Sequence, residues 1–87
     1  FSVESLMLRS AANRTLGYPR AALADANRAV ELRPRDLDVL LERGLVHRAL
    51  GDKASAYADW LAVTRNAEET GRRNHPAAIA ARNYLEM

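Results

Sequence analysis

Apolar residues recur at helical spacing along the whole chain, and no stretch alternates in the manner of a strand. The richest part is Leu37–Arg65, LDVLLERGLVHRALGDKASAYADWLAVTR. Placed at about 100° per residue, Leu37, Leu40, Leu41 and Leu45 share one arc, while Val39, Val46 and Leu50 lie almost opposite. A helix that is apolar on two sides is packed on two sides. From Lys53 onward Ala56, Trp60, Val63 and Ala67 make a single stripe, so the second helix covers one side only. Between them, Gly51 predicts a left-handed helix end, and Asp52 predicts the cap of the next helix. Gly44 lies mid-helix, where glycine costs about 1 kcal/mol relative to alanine. Its presence predicts a close backbone approach, with Ala56 across the turn as the neighbour.

The flanking segments obey the same grammar. Ser2 is placed to cap a helix running from about Val3 to Leu16, with Phe1 and Leu6 as a hydrophobic staple around it. Gly17 ends that helix and Pro19 suits the first turn of the next, where a missing N–H costs nothing. The second helix carries Ala22, Leu23, Ala26, Ala29, Val30 and Leu32 up to Pro34. Its alanines predict close helix contact. Asp36 caps the central helix. The helix after Asp52 keeps its composition to about Thr70, and Gly71-Arg72-Arg73-Asn74 reads as a loop. His75-Pro76 opens a last helix, whose Ala77, Ala78, Ala81, Tyr84 and Leu85 form an apolar face that closes the second hairpin.

A single hairpin cannot bury two faces, and the chain contains a copy of the central one. Shifted by 34 residues, Leu6 falls on Leu40, Arg9 on Arg43, Arg14 on Arg48, Leu16 on Leu50 and Gly17 on Gly51. Ala22 then falls on Ala56, Ala24 on Ala58 and Asp25 on Asp59. That period with helix–turn–helix content is tetratricopeptide spacing. Through Gly44, Gly51-Asp52, Ala56 and Trp60, and through Leu16-Gly17, Ala22, Ala26, Ala29 and Pro34, the chain resembles the tetratricopeptide repeat family. Ser10, Ala26, His47 and Glu68 depart from the family pattern.

The resemblance implies an all-α fold: an α-solenoid of two antiparallel helix-turn-helix repeats, about 3–36 and 37–70, with a capping helix at about 75–87, in one domain spanning 1–87. It also implies a protein–protein interaction scaffold, because the family binds peptides on a concave face lined by the first helix of each repeat. Carried across, that face comprises Glu4, Met7, Leu8, Ala11 and Arg14 from the first repeat. The second repeat contributes Asp38, Leu41, Glu42, Leu45 and Arg48. The middle is apolar and the rim charged. Members that grip terminal carboxylates use lysines and asparagines, where this chain has Met7, Ala11, Asp38 and Glu42, so that specificity is not expected. The alternative is a structural module whose same face pairs with another repeat or a second copy, giving a homo-oligomer.

Composition narrows the chemistry. A chain of 87 residues buries only about 60–65% of its unfolded surface, which suits a fold in which each unit packs on its neighbours. The net charge of +2 comes from interspersed acids and bases, which argues against a nucleic-acid footprint. There is no cysteine, hence no disulfide frame or thiolate metal site. No apolar run approaches the roughly 20 residues of a membrane span, so membrane insertion is not expected. His47 and His75 are the only imidazoles, without a third ligand to make a metal site. No serine sits beside a base and no glycine loop could cradle phosphate. Neither catalysis nor a cofactor is expected. Asn13-Arg14-Thr15 matches a glycosylation triplet inside a predicted helix and is read as chance. Twelve arginines against one lysine point to a GC-rich, bacterial source. A start at Phe1 is expected of a fragment or processed chain, and a soluble, cytoplasmic location is the default.

Overall fold

Four of the five helices begin where a side chain caps them. The computed structural model describes Phe1–Met87 and is all-helical: α1 Val3–Thr15, α2 Pro19–Leu32, α3 Leu37–Ala49, α4 Lys53–Glu69 and α5 Pro76–Leu85. Ser2 Oγ accepts from the Ser5 N–H at 3.0 Å, Asp36 from Val39 at 3.1 Å and Asp52 from Ser55 at 3.1 Å. His75 Nδ1 does the same for the Ala77 N–H at 3.1 Å. No side chain caps α2, whose first residue is Pro19 and has no N–H to satisfy. Gly17 and Gly51 adopt φ of +88° and +80° and turn the chain out of α1 and α3. At both ends the next N–H reaches back to close the turn, Tyr18 to Asn13 O at 2.8 Å and Asp52 to His47 O at 2.9 Å.

Each helix packs on its sequence neighbours, and in addition α3 lies on α1 and α5 on α3. Val39 joins Val3, Leu6 and Ala29, and Val46 joins Ala22 and Ala26. The two-sided pattern of α3 thus has its cause: the valine face is buried on the preceding hairpin. The leucine face meets the largest cluster, where Leu37 and Leu40 pack with Trp60, Val63 and the alanines of α5. Trp60 anchors it at 2% exposure. Truncating a buried ring of that size costs about 3–5 kcal/mol.

Two details differ from the sequence expectation. Phe1 does not staple α1; it is exposed, with the Arg9 guanidinium 4.9 Å from its ring centroid. Leu6 is taken up by the inter-helix core with Val3, Ala29 and Val39. Gly44 is needed for Trp60, not Ala56: a Cβ there would stand 2.7 Å from Trp60 Cδ1 and 2.9 Å from Cε2. The indole lies flat on the backbone of α3, and its buried N–H has no acceptor.

The 34-residue match is also written in ion pairs. Arg9 forks onto Asp25 with bonds of 2.7 and 2.8 Å, tying α1 to α2. Arg43 forks onto Asp59 with bonds of 2.9 and 2.7 Å, tying α3 to α4. Both aspartates are buried. Each pair is the 34-residue translate of the other, and the two-bond geometry is the strong form of the interaction.

Candidate functional site

The face expected from the first helix of each repeat is divided by the structure into three parts. Glu4, Met7, Leu8 and Asp38 gather around a wide cleft of about 380 Å³ between α1 and α3, with Arg33 and Asp36 on its other side. Leu8 borders the cleft and is 74% exposed. Met7 is half-buried on the core beneath.

The middle of the face is less open than the sequence implies. Leu41 and Leu45 are half-buried and pack on the Trp60 cluster, because α5 closes over them from the side. Ala11, on α1, is half-buried. Glu42 is not a rim residue: it is only 7% exposed. Arg14 grips it with bonds of 2.9 and 3.1 Å, and Ser10 Oγ donates to it at 3.3 Å. A carboxylate at that depth must be paired, so Arg14 and Glu42 act as a cross-brace between α1 and α3 and are not free to orient a ligand.

The far end is a smaller, more enclosed cleft of about 160 Å³ where α3, α4 and α5 meet. Arg48 and Lys53 stand at its edge and Tyr57, Trp60 and Tyr84 form its walls. Trp60 stacks on Tyr84 at 4.9 Å and meets Tyr57 at 5.8 Å with the rings tilted by 45°. The Arg48 guanidinium lies 5.0 Å from the Tyr84 centroid and 5.8 Å from that of Trp60. Of these residues only Arg48 belongs to the binding face that the resemblance implies. Tyr57 and Trp60 are visible in sequence as neighbours one turn apart on α4, but Tyr84 arrives from another helix.

The charges of the fold are tuned where they pair. Hydrogen bonds from Arg9 hold the Asp25 carboxyl below the usual carboxylate range, and Ser55 does the same for Asp52 at the start of α4. Arg14 and Arg43 are held still more firmly protonated by Glu42 and Asp59. No three side chains among His, Cys, Asp and Glu gather as a metal site, and no helix is long and apolar enough to cross a membrane. Comparison with family models, with curated proteins and with solved structures finds no match for this chain.

Proposed function

We propose that the chain is a tetratricopeptide-type helical-repeat domain that binds a peptide or helix of another protein along α1 and α3. The observation that carries the reading is the pair of arginine forks onto buried aspartates, 34 residues apart, each of which ties the two helices of one hairpin together. Hairpins so held present their first helices side by side. Along those helices runs a face with Met7, Ala11, Leu41 and Leu45 along its middle, each only half-buried. Acidic Glu4 and Asp38 stand exposed at one end and Arg48 at the other. Helix-in-groove and extended-peptide recognition both use apolar anchors of this kind. Rim charges then set orientation more than affinity.

A peptide-display selection against the immobilised domain tests the reading. Peptides with apolar anchors are expected to enrich, and Ala11→Arg is expected to abolish their binding while helicity is retained. Ala11 belongs to none of the core clusters, so this substitution blocks the face without emptying the interior. Binding that ignores Ala11→Arg would place the peptide elsewhere.

A self-assembly reading has one observation of its own. On α3, Val39, Glu42 and Val46 are buried against the preceding hairpin, whereas their counterparts on α1, Ser5, Leu8 and Ala12, are exposed. Light scattering decides between them: a dimer dispersed by Leu8→Glu favours self-assembly, and a monomer favours the peptide reading.

A further inference from the structure

We infer that the cleft closed by α5 is a selectivity pocket for one aromatic side chain whose neighbour in the ligand is an acidic residue. The inference rests on the peptide-binding reading and adds the chemistry of the ligand. Size comes first. The cleft holds about 160 Å³, and an apolar cavity of about 150 Å³ is enough to take a benzene ring. Whole small-molecule sites run to roughly 300–1,000 Å³. The space therefore suits a single ring belonging to a larger ligand.

The walls fit the same guest. Tyr57, Trp60 and Tyr84 are three of the chain's five aromatic residues, gathered from α4 and α5 around one opening. Trp60 is only 2% exposed beneath Tyr84, so an entering ring meets Tyr57, 38% exposed, and the half-buried Tyr84, in the tilted or edge contacts aromatic groups prefer. Charge then decides what must accompany the ring. Arg48 and Lys53 border the cleft, and neither side chain forms an ion pair or hydrogen bond within the protein. No aspartate or glutamate lines it. Asp52, the residue before Lys53, accepts from the Ser55 N–H to cap α4. Lys53 also occupies the first residue of α4, the positive end of that helix. A cationic guest would thus meet two like charges with no counter-ion, and an anion would complete both. Arg48 is already held over Tyr84 by its cation–π contact, so little side-chain freedom remains to be lost when a carboxylate arrives.

A titration of the isotope-labelled full chain, monitored by NMR, tests this with four capped dipeptides: Phe-Glu, Phe-Gln, Ala-Glu and Phe-Lys. Phe-Glu is expected to shift the Trp60 indole resonance and the amides of Arg48, Lys53, Tyr57 and Tyr84. Phe-Gln and Ala-Glu are expected to bind at least about ten-fold more weakly, the value of one charge-assisted contact, and Phe-Lys not to bind. Lys53→Gln, on an exposed side chain, is expected to lower Phe-Glu affinity without altering the melt; Arg48→Gln is expected to lower it further. A Trp60 resonance unmoved by Phe-Glu, or equal binding of Phe-Glu and Phe-Lys, overturns the inference. Selected long peptides that bind but leave Trp60 silent overturn the pocket alone. Phe-Glu seated in the cleft with no long peptide bound leaves the pocket standing and removes the peptide-binding function.

Discussion

Replacing Gly44 with alanine adds one methyl group at the tightest contact in the molecule. That carbon would lie 2.7 Å from Trp60 Cδ1 and closer still to Nε1, well inside van der Waals separation. The indole cannot swing aside freely, because Tyr84 is stacked on it at 4.9 Å and only 2% of it is exposed. Overpacking of this kind costs about 1–3 kcal/mol, and the value here belongs at the upper end. Alanine's helix propensity returns about 1 kcal/mol. The net expectation is a loss of about 1–2 kcal/mol, or a melting temperature lower by roughly 4–16 °C for a domain of this size. The first hairpin supplies a sharper test, since at the corresponding positions it carries Ser10 and Ala26, both fully buried. There the small residue and the larger one have exchanged helices. A double-mutant cycle of Gly44→Ser and Trp60→Ala, read by circular dichroism melts, should therefore be non-additive, the double mutant losing less than the sum by about 1–3 kcal/mol. An unchanged melt for Gly44→Ala, or an additive cycle, would refute the account of why glycine is there.

The two arginine–aspartate forks should be unequal. Arg43 is largely covered, its side chain 24% exposed against 49% for Arg9, so Asp59→Asn is expected to cost about 1–3 kcal/mol by urea unfolding and Asp25→Asn distinctly less. The reverse order would show that solvent screening does not govern them. Acid should weaken the fold in a defined way. Asp25 and Asp52 have folded pKa values below their unfolded ones, so the unfolded chain binds their protons more readily. Their contribution is full above about pH 5 and is lost as pH falls through about 4 and below. Urea midpoints across that range should fall with acidification, and Asp25→Asn should flatten the slope; a slope unaffected by that change would remove Asp25 from the account.

Local rules determined the helices of this protein. Ser2, Asp36 and Asp52 cap the helices that start after them, Gly17 and Gly51 end the helices before them, and Pro19 and Pro76 open helices in which the missing N–H is harmless. These effects act within a turn, so their residue types are legible without a partner. The two-sided pattern of α3 and the 34-residue self-match also survive in one dimension, because a repeated packing problem draws a repeated solution. The match even pairs Arg9 with Arg43 and Asp25 with Asp59, although only the fold reveals that arginine meets aspartate. Tertiary structure alone decided which charges are free and which are internal. Glu42 reads as a surface residue in sequence, yet it lies under Arg14 and Ser10 because α1 covers it. Leu41 and Leu45 read as bare, yet α5 arrives beside them. Sequence shows only part of the aromatic cleft, Tyr57 and Trp60 one turn apart on α4; Arg48 comes from α3 and Tyr84 from α5. A site assembled from three helices is set by how those helices cross, and crossing depends on side-chain volumes such as Gly44 against Trp60, which no periodicity records.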